Sequence, residues 1–306
     1  MMLRALGILA FVLGVSLGWG QDQAGTPPEH FSSAYMPVPG TLTVFSRGKE
    51  AVSVPIPFPM RHLVYGPDGR SLYAQPMEPG ACLYRIGLSP ETFDPVACPP
   101  GLRFEKFAVS PKGDKLLFAG GYGGGQDPFC GLFEVSLPGG IPRPVLKADC
   151  GSGPLKWNTL SLSPDGKKAV ATVKEPLVKS LFALEVIELD SSSVKSLGSG
   201  FLLASWSPDG RWIAAVRNGG KYKTELLDPV SFKKVRTLPN SEGEWSPDGR
   251  FLLRVADCSE YFGKIEAIDV ENGTVTPMRS SECKIGNVST GWVSDTILPE
   301  KATGPG

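Results

Sequence analysis

The chain has 306 residues with 31 basic and 31 acidic side chains, so its formal net charge at pH 7 is zero. This balance gives no support to binding of nucleic acid or of an anionic membrane surface, both of which favour a basic protein. The 37 glycines and 29 prolines recur between short apolar runs, which excludes a mainly helical fold and is typical of an all-β protein with many turns.

Residues 1–20 have the layout of a secretory signal peptide. Arg4 supplies the positive charge, an apolar run follows it, and the small residues Gly18 and Gly20 predict cleavage at the end of this segment. An uncleaved membrane anchor is the alternative, although the run is shorter than the roughly 20 residues that span a bilayer. We therefore expect an exported protein, periplasmic or extracellular, without an integral membrane segment after signal removal, in which residues 21–40 form a linker.

A turn-forming phrase of the type Ser-Pro-Asp-Gly then recurs along the chain. Proline presets φ at the second position of a tight turn, aspartate hydrogen-bonds the backbone ahead of it, and glycine takes a positive φ. Each phrase is therefore predicted to join two antiparallel strands. The prolines lie 39 to 53 residues apart, close to the ~40 to 45 residues of a four-stranded propeller blade. The five copies occupy residues 66–70, 110–114, 163–167, 207–211 and 246–250.

A second hairpin is predicted downstream of each phrase. Its residues alternate with a period of two, which marks strands with one buried face. Together with the hairpin at the phrase, it gives four antiparallel strands in each repeat. The first arms of these second hairpins begin at Leu83, Leu132, Leu184, Thr224 and Ile265.

The five phrases resemble the WD40-like propeller repeat found in TolB and in related exported propellers. The resemblance covers nearly all of residues 41–299 and implies four-stranded sheets arranged radially as blades. It implies little about function, because the same blades serve many unrelated tasks. The long amino-terminal domain that accompanies TolB has no counterpart here, so the role of TolB itself does not carry over.

The two ends of the repeat region predict a further blade. Residues 41–54 match the outer hairpin of a blade, and residues 292–298 resemble a decayed inner hairpin. Combining them pairs sheet edges that would otherwise be exposed. We therefore predict an all-β fold, a six-bladed β-propeller at residues 41–299 with four-stranded antiparallel blades, and a tail at residues 300–306. Seven blades are the alternative.

Six cysteines in an exported chain predict three disulfides. In an antiparallel hairpin the start of the first arm faces the end of the second arm, which suits the short Cα separation of a disulfide. Zinc would need thiols at two-to-four-residue spacing with histidine nearby, and a reactive thiol is not expected when every cysteine has a partner. We predict no metal and no cofactor. The predicted pairs are Cys82–Cys98, Cys130–Cys150 and Cys258–Cys283.

The sequence offers little catalytic chemistry. His30 and His62 are not near a nucleophile motif, and no Gly-x-Ser-x-Gly elbow occurs. The glycine run at residues 120–125 lacks the Lys-Ser/Thr ending of a phosphate loop and predicts a flexible hairpin loop. The repeated aspartates are interpreted as turn residues and not as a carboxylate array. They are Asp68, Asp165, Asp209 and Asp248.

Propellers commonly bind at one face, around the mouth of the central channel, where loops enter the innermost strands. In this chain the entering residues are polar, charged or aromatic, which favours a binding patch. Simple solvation of a water-filled channel is the alternative. The candidate binding residues are Arg61, His62, Glu105, Lys106, Trp157, Asn158, Glu242 and Glu244.

Two classes of function follow. The first is a non-catalytic module that binds a protein or a cell-envelope component through one face of the ring. The second is a secreted glycan hydrolase or lyase with carboxylates at the channel mouth, since paired acids can come from distant blades. Two carboxylates about 5 to 10 Å apart in a deep pocket would favour the enzyme.

Overall fold

The computed structural model describes thirteen segments of the chain, and all of its regular structure in these segments is β-strand. In this part of the chain no helix is long and apolar enough to cross a membrane. The described segments are residues 31–35, 41–46, 49–76, 82–98, 102–122, 129–148, 157–174, 182–218, 223–239, 244–259, 262–277, 281–282 and 288–292.

The strands of the amino-terminal half are β1 (Phe31–Tyr35), β2 (Thr41–Ser46), β3 (Lys49–Pro55), β4 (Met60–Tyr65), β5 (Ser71–Pro76), β6 (Leu83–Leu88), β7 (Glu91–Ala97), β8 (Leu102–Val109), β9 (Lys115–Tyr122), β10 (Phe129–Ser136) and β11 (Arg143–Ala148). Those of the carboxy-terminal half are β12 (Trp157–Leu162), β13 (Lys168–Lys174), β14 (Phe182–Glu188), β15 (Ser193–Trp206), β16 (Ile213–Arg217), β17 (Lys223–Leu227), β18 (Lys234–Pro239), β19 (Phe251–Ser259), β20 (Phe262–Asp269), β21 (Val275–Pro277), β22 (Ser281–Glu282) and β23 (Val288–Trp292).

These strands pair antiparallel in five sheets. Sheet A has the order β23-β1-β2-β3, sheet B β4-β5-β6-β7, sheet C β8-β9-β10-β11, and sheet E β19-β20-β21 with β22 also on β20. Sheet D runs through seven strands from β12 to β18. Its long strand β15 pairs with β14 through its first half and with β16 through its second half. Sheet D therefore consists of two four-stranded groups that share β15.

The hydrophobic core is divided into clusters that lie between successive groups of strands. Leu116 and Phe118 pack against sheet B, whereas Leu117 and Ala119, on the opposite face of β9, pack against sheet D. Because both faces are covered, the strand after each turn is a continuous apolar run, and each fully buried leucine contributes about 1.5–3 kcal/mol. Five such clusters connect sheets A to B, B to C, C to D, the two halves of D, and D to E.

The repeated turn is held together by a buried serine. Ser207 is 0% exposed, and its Oγ atom donates to Asp209 Oδ1 at 2.7 Å and accepts from the Trp212 amide at 2.9 Å. Asp209 Oδ1 also accepts from the Arg211 amide at 3.0 Å, and Gly210 has a φ of 76°. The predicted turn role of the aspartate is thus confirmed. The turns at residues 163–168 and 246–251 repeat these contacts.

The first copy of the turn has glycine in place of serine and compensates for it. At Gly66 the missing hydroxyl is replaced by that of Ser71, which donates to Asp68 Oδ1 at 3.0 Å. A Cβ atom on Gly66 would collide with Ser71 Oγ and with the Asp68 carboxylate. The same turn is therefore built from a different set of side chains.

The second copy compensates in another way. Lys112 stands where the other copies have aspartate, and Ser110 Oγ donates to Asp114 Oδ1 at 2.7 Å instead. The Lys115 amide still donates to Ser110 Oγ. The carboxylate is thus supplied from two positions further along the chain.

The amino-terminal strand of sheet A corrects our prediction of a linker at residues 21–40. Strand β1 lies within that segment and pairs with β2 on one side and with β23 on the other. We expected the carboxy-terminal end to supply both inner strands of this sheet, but β1 supplies one of them. A physical reason is that β2 and β23 would otherwise leave backbone groups unpaired. The expected inner strand after Trp292 lies outside the described residues.

The disulfide predicted for the second hairpin of sheet B is present. Cys82 and Cys98 are bonded, with a Cα–Cα distance of 4.2 Å, at the start of β6 and the end of β7. Cys130 is also disulfide-bonded, and its predicted partner Cys150 lies outside the described residues. The predicted pair Cys258–Cys283 includes Cys283, which also lies outside them.

Gly66→Ser is expected to destabilise the protein by about 1–3 kcal/mol, even though serine is the residue in the other four copies, because the new Cβ collides with Ser71 Oγ. Adding Ser71→Ala removes the closer of the two collisions and is expected to recover much of the loss. Urea unfolding of the two single variants and the double variant measures the coupling. A Gly66→Ser variant as stable as the unmodified protein would contradict this account.

Replacing both Cys82 and Cys98 by serine is expected to lower the free energy of unfolding by about 3 kcal/mol, because the bond closes a loop with a sequence separation of 16 residues. Denaturant titration of the purified variant measures the loss. Equal stability of the two forms would show that the hairpin needs no covalent constraint.

Candidate functional site

A cavity of about 640 Å³ runs along the innermost strands. Its wall is formed by β4, β8, β12, the second half of β15 and the segment at residues 244–247. In that segment Trp245 makes one bridge to Leu252, so it acts as a rudimentary innermost strand of sheet E. Because β4, β8 and β12 are edges of their sheets, they offer backbone groups as well as side chains to a ligand.

The innermost strands share a bulge at matching distances from their turns. Bulges bend a strand and re-aim the side chains beside them, and they are frequent next to functional sites. In β4 the bulge includes His62, which has a φ of 52°. The pairing register shifts between Arg61 and Val64, between Phe104 and Lys106, between Trp157 and Thr159, and between Phe201 and Leu203.

Half of the predicted binding residues line the cavity. Arg61 and Glu105 belong to β4 and β8, but their side chains lie outside the described part of the structure. Glu242 lies outside the described residues altogether. The four that line the cavity are His62, Lys106, Asn158 and Glu244.

Trp157 lies elsewhere than expected. Its side chain is only 7% exposed and packs with Ala108 and Leu162 in the cluster between sheets C and D. The alternation of β12 places this large ring on the face that sheet C covers. It is a core residue and does not line the cavity.

Asn158 connects two neighbouring groups of strands. Its Nδ2 atom donates to the carbonyl oxygen of Leu202 at 2.6 Å, and Thr172 Oγ1 donates to the same carbonyl at 3.0 Å. Leu202 is the bulged residue of β15, whose pairing with β16 is interrupted there. The two side chains therefore satisfy a carbonyl that the bulge releases.

Sequence reasoning missed a set of hydroxyl groups in the cavity wall. The Ala204 amide donates to Thr159 Oγ1 at 3.1 Å, and the Trp206 amide donates to Ser161 Oγ at 2.9 Å. Trp245 Nε1 donates to Ser205 Oγ at 2.9 Å. The signal that could have found these residues is their spacing, because they lie two or four residues before a turn serine.

Glu244 is the one carboxylate among the described residues that line the cavity. Its side chain is exposed to the water of the cavity, yet protein surrounds it. Desolvation by this surrounding protein raises the pKa of Glu244 to about 7. The carboxyl group therefore exchanges its proton near neutral pH.

The opposite end of the cavity is formed by the repeated turns, whose aspartates are already engaged. The Ser163 hydroxyl lowers the pKa of Asp165; burial opposes this effect, and the Lys167 amide adds to the lowering. The turns also touch one another, since a Cβ atom on Gly113 would lie 3.5 Å from Pro67 Cγ. No group of three or more His, Cys, Asp or Glu side chains suited to a metal occurs in the described segments.

Comparison with known proteins gives no match to a family model and no characterised relative by sequence. Solved structures do match. TolB from Acinetobacter baumannii has 18% identity over 88% of this chain and 68% of its own, with a TM-score of 0.63. An oligogalacturonate lyase in complex with manganese has 14% identity over 77% of this chain and 72% of its own, with a TM-score of 0.56.

A chain of a nidogen–laminin complex has 13% identity over 85% of this chain and 96% of its own, with a TM-score of 0.56. At these identities the likeness shows the fold and not the activity. The all-β composition, the antiparallel sheets and these neighbours agree: the chain has the TolB-like β-propeller fold.

Proposed function

We propose that the chain is a closed, six-bladed β-propeller that acts as an exported, non-catalytic binding module. Sheets A, B, C and E and the two halves of sheet D provide six groups of strands. Contact between β23 and β4 brings the carboxy-terminal strand beside the innermost strand of sheet B. One further contact, between sheets E and A, would complete the ring.

Export is supported by the disulfide between Cys82 and Cys98, because such bonds persist in oxidising compartments. The signal-like sequence at residues 1–20 points in the same direction. We therefore place the protein in the periplasm or outside the cell.

The observation that carries the binding function is the cavity along the innermost strands. Its wall combines apolar residues with several polar and charged groups, and polar groups that fix the orientation of a bound molecule are typical of ligand sites. His62 and Lys106 lie at the bulged end, where strand edges also offer backbone hydrogen bonds. We propose that a segment of a protein or a cell-envelope component binds at this end.

A glycan hydrolase or lyase is the second candidate, favoured by the raised pKa of Glu244. A carboxyl group that is protonated near neutral pH can act as a general acid. A two-carboxylate mechanism also needs a second acid about 5 to 10 Å away, and among the described lining residues Glu244 has no carboxylate neighbour of this kind. We keep the hydrolase or lyase as the alternative to binding.

The binding proposal is tested with the immobilised mature protein and an envelope extract. A captured component is purified and its affinity measured by calorimetry. Combined His62→Ala and Lys106→Ala changes are expected to weaken binding about tenfold or more, since each removes a polar group at the bulged end. Lys233→Ala, on the exposed hairpin of sheet D, is the matched control and should bind normally. Equal binding by the double variant would exclude this end of the cavity.

The enzyme candidate has its own test. The mature protein is incubated with neutral and acidic polysaccharides, and release of new reducing ends is measured. The binding proposal expects no release above background. Turnover that disappears in Glu244→Gln would establish the enzyme in its place.

Glu244→Gln is also expected to change the pH dependence of stability. Because the folded pKa of Glu244 is about 7, above its unfolded value of about 4.3, its contribution to stability is complete below the unfolded value and is lost as pH rises through 7. The variant should therefore be more stable than the unmodified protein near pH 8, by on the order of 1 kcal/mol once water in the cavity is allowed for.

Urea unfolding near pH 5 and pH 8 measures this difference. Glu91→Gln, at an exposed position of β7, is the control and should leave the pH dependence as it is. An equal change in the free energy of unfolding between pH 5 and pH 8 for Glu244→Gln and the unmodified protein would contradict the raised pKa.

A further inference from the structure

A second cavity, of about 430 Å³, lies between sheets B and C and outside the channel. Its polar wall includes Arg85 and Lys112. Tyr73 contributes to the same wall and belongs to the core cluster between the two sheets. Apolar walls come from Val96, Leu137 and Pro138. All of these residues are described by the structure.

The repeats show that the polar wall is a departure from the common pattern. Tyr73 and Arg85 are directly opposite each other on β5 and β6. The equivalent cross-strand pairs in sheets D and E are apolar and buried, and those of sheet D close the interface to the next group of strands. These pairs are Val170 with Val186, Ala214 with Leu226, and Leu253 with Ala267.

The equivalent pair in sheet C is also different. It consists of Leu117 and Glu134, and the glutamate forms ion pairs with Lys115 at 3.0 Å and Arg143 at 3.1 Å. Its charge is therefore compensated within its own sheet. Among these described pairs, the one in sheet B places a cation at an opening between sheets.

A second difference from the common repeat pattern lies in the wall of the same cavity. Lys112 replaces the turn aspartate, and Asp114 supplies the carboxylate that the turn needs. The ammonium group of Lys112 is therefore dispensable for the turn. Two independent changes to the repeat thus bring two cations to one cavity.

Asp68 holds Arg85 in position. Its Oδ2 atom accepts from Arg85 Nη2 at 2.9 Å, and its Oδ1 atom accepts from the Arg70 amide and from Ser71 Oγ. A guanidinium has five N–H donors, so this contact leaves donors for a ligand. Tyr73 is neutral at physiological pH because a phenol has an ordinary pKa of about 10, and burial raises the pKa of Tyr73 further.

We propose that this cavity binds the carboxylate group of a ligand whose apolar part lies against Val96, Leu137 and Pro138. Arg85 and Lys112 exceed the single charge of Asp68 by one, so the site favours an anion. The planar fork of arginine matches a carboxylate in particular. The carboxylate comes from a small organic acid or from the end of a peptide chain. The proposal does not depend on the binding residues of the first cavity, because His62, Lys106 and Glu244 do not line this one.

The test uses benzoate and its neutral isostere benzamide, with binding followed by ¹H–¹⁵N chemical shifts of the full chain. Benzoate is expected to perturb resonances around this cavity, and benzamide is not. Lys112→Asp restores the residue of the other turns and is expected to weaken benzoate binding about tenfold or more, through loss of a charge-assisted contact. Lys233→Asp carries the same change of charge at an exposed hairpin position of sheet D that does not line this cavity, and it should bind normally.

Arg85→Leu supplies a second variant, since leucine occupies the equivalent position in Leu226. A fold check by circular dichroism accompanies it, and it is expected to abolish benzoate binding. Binding of benzamide as tight as that of benzoate, absence of benzoate binding, or normal binding by both variants would each overturn the proposal.

A peptide ending in phenylalanine, with a free or an amidated carboxy terminus, identifies the source of the carboxylate. Much tighter binding of the free peptide than of benzoate assigns the site to a chain end. Equal affinities of the peptide and benzoate assign it to a small acid. Failure of the channel variants described above leaves these results unaffected, so the two proposals can fail separately.

Discussion

A hydroxyl bonded to the turn carboxylate is the contact on which the repeats depend; the turn serine supplies it in four copies and Ser71 supplies it in the first. In the turn at Ser207 this hydroxyl has no access to water, yet it both donates to a carboxylate and accepts from a backbone amide. An unsatisfied buried hydroxyl costs about 1–3 kcal/mol. These hydrogen bonds therefore allow the serine of the turn to be buried. The turn then fixes where the following strand begins, and hence which of its residues face each neighbouring sheet.

Much of the fold could be predicted because the contacts of this turn are made by residues that are close together in the sequence. The strands around it follow from the period-two pattern, and the pairing of Cys82 with Cys98 follows from the hairpin. Strand β1 was missed because its serines and alanine carry neither a turn phrase nor a strong apolar alternation. The Ser71 hydroxyl takes the place of the one that is missing at Gly66. This substitution depends on distances between atoms, which the spacing of residues in the sequence does not reveal.

The candidate site was harder to predict because its polar residues stand at positions where the repeats differ from one another. Glu244 stands two residues before its turn serine, where the other repeats have Val64, Ala108, Ser161 and Ser205. The structure has Glu244 in the wall of the cavity along the innermost strands, since the alignment of repeats determines position along such a strand. The same reasoning misplaced Trp157, because alternation along a bulged strand does not tell which face a neighbouring sheet covers.

Sheet A joins the two ends of the chain, and this has a consequence for how the protein is made. Strand β1 hydrogen-bonds to β23, which is separated from it by nearly the whole sequence. Sheet A therefore cannot form completely until the last repeat has been synthesised. Until then β1 presents a bare edge to other chains. Slow pairing across such a long separation is expected from loop-closure entropy, so the exposed edge of β1 is the part of the fold that is completed last.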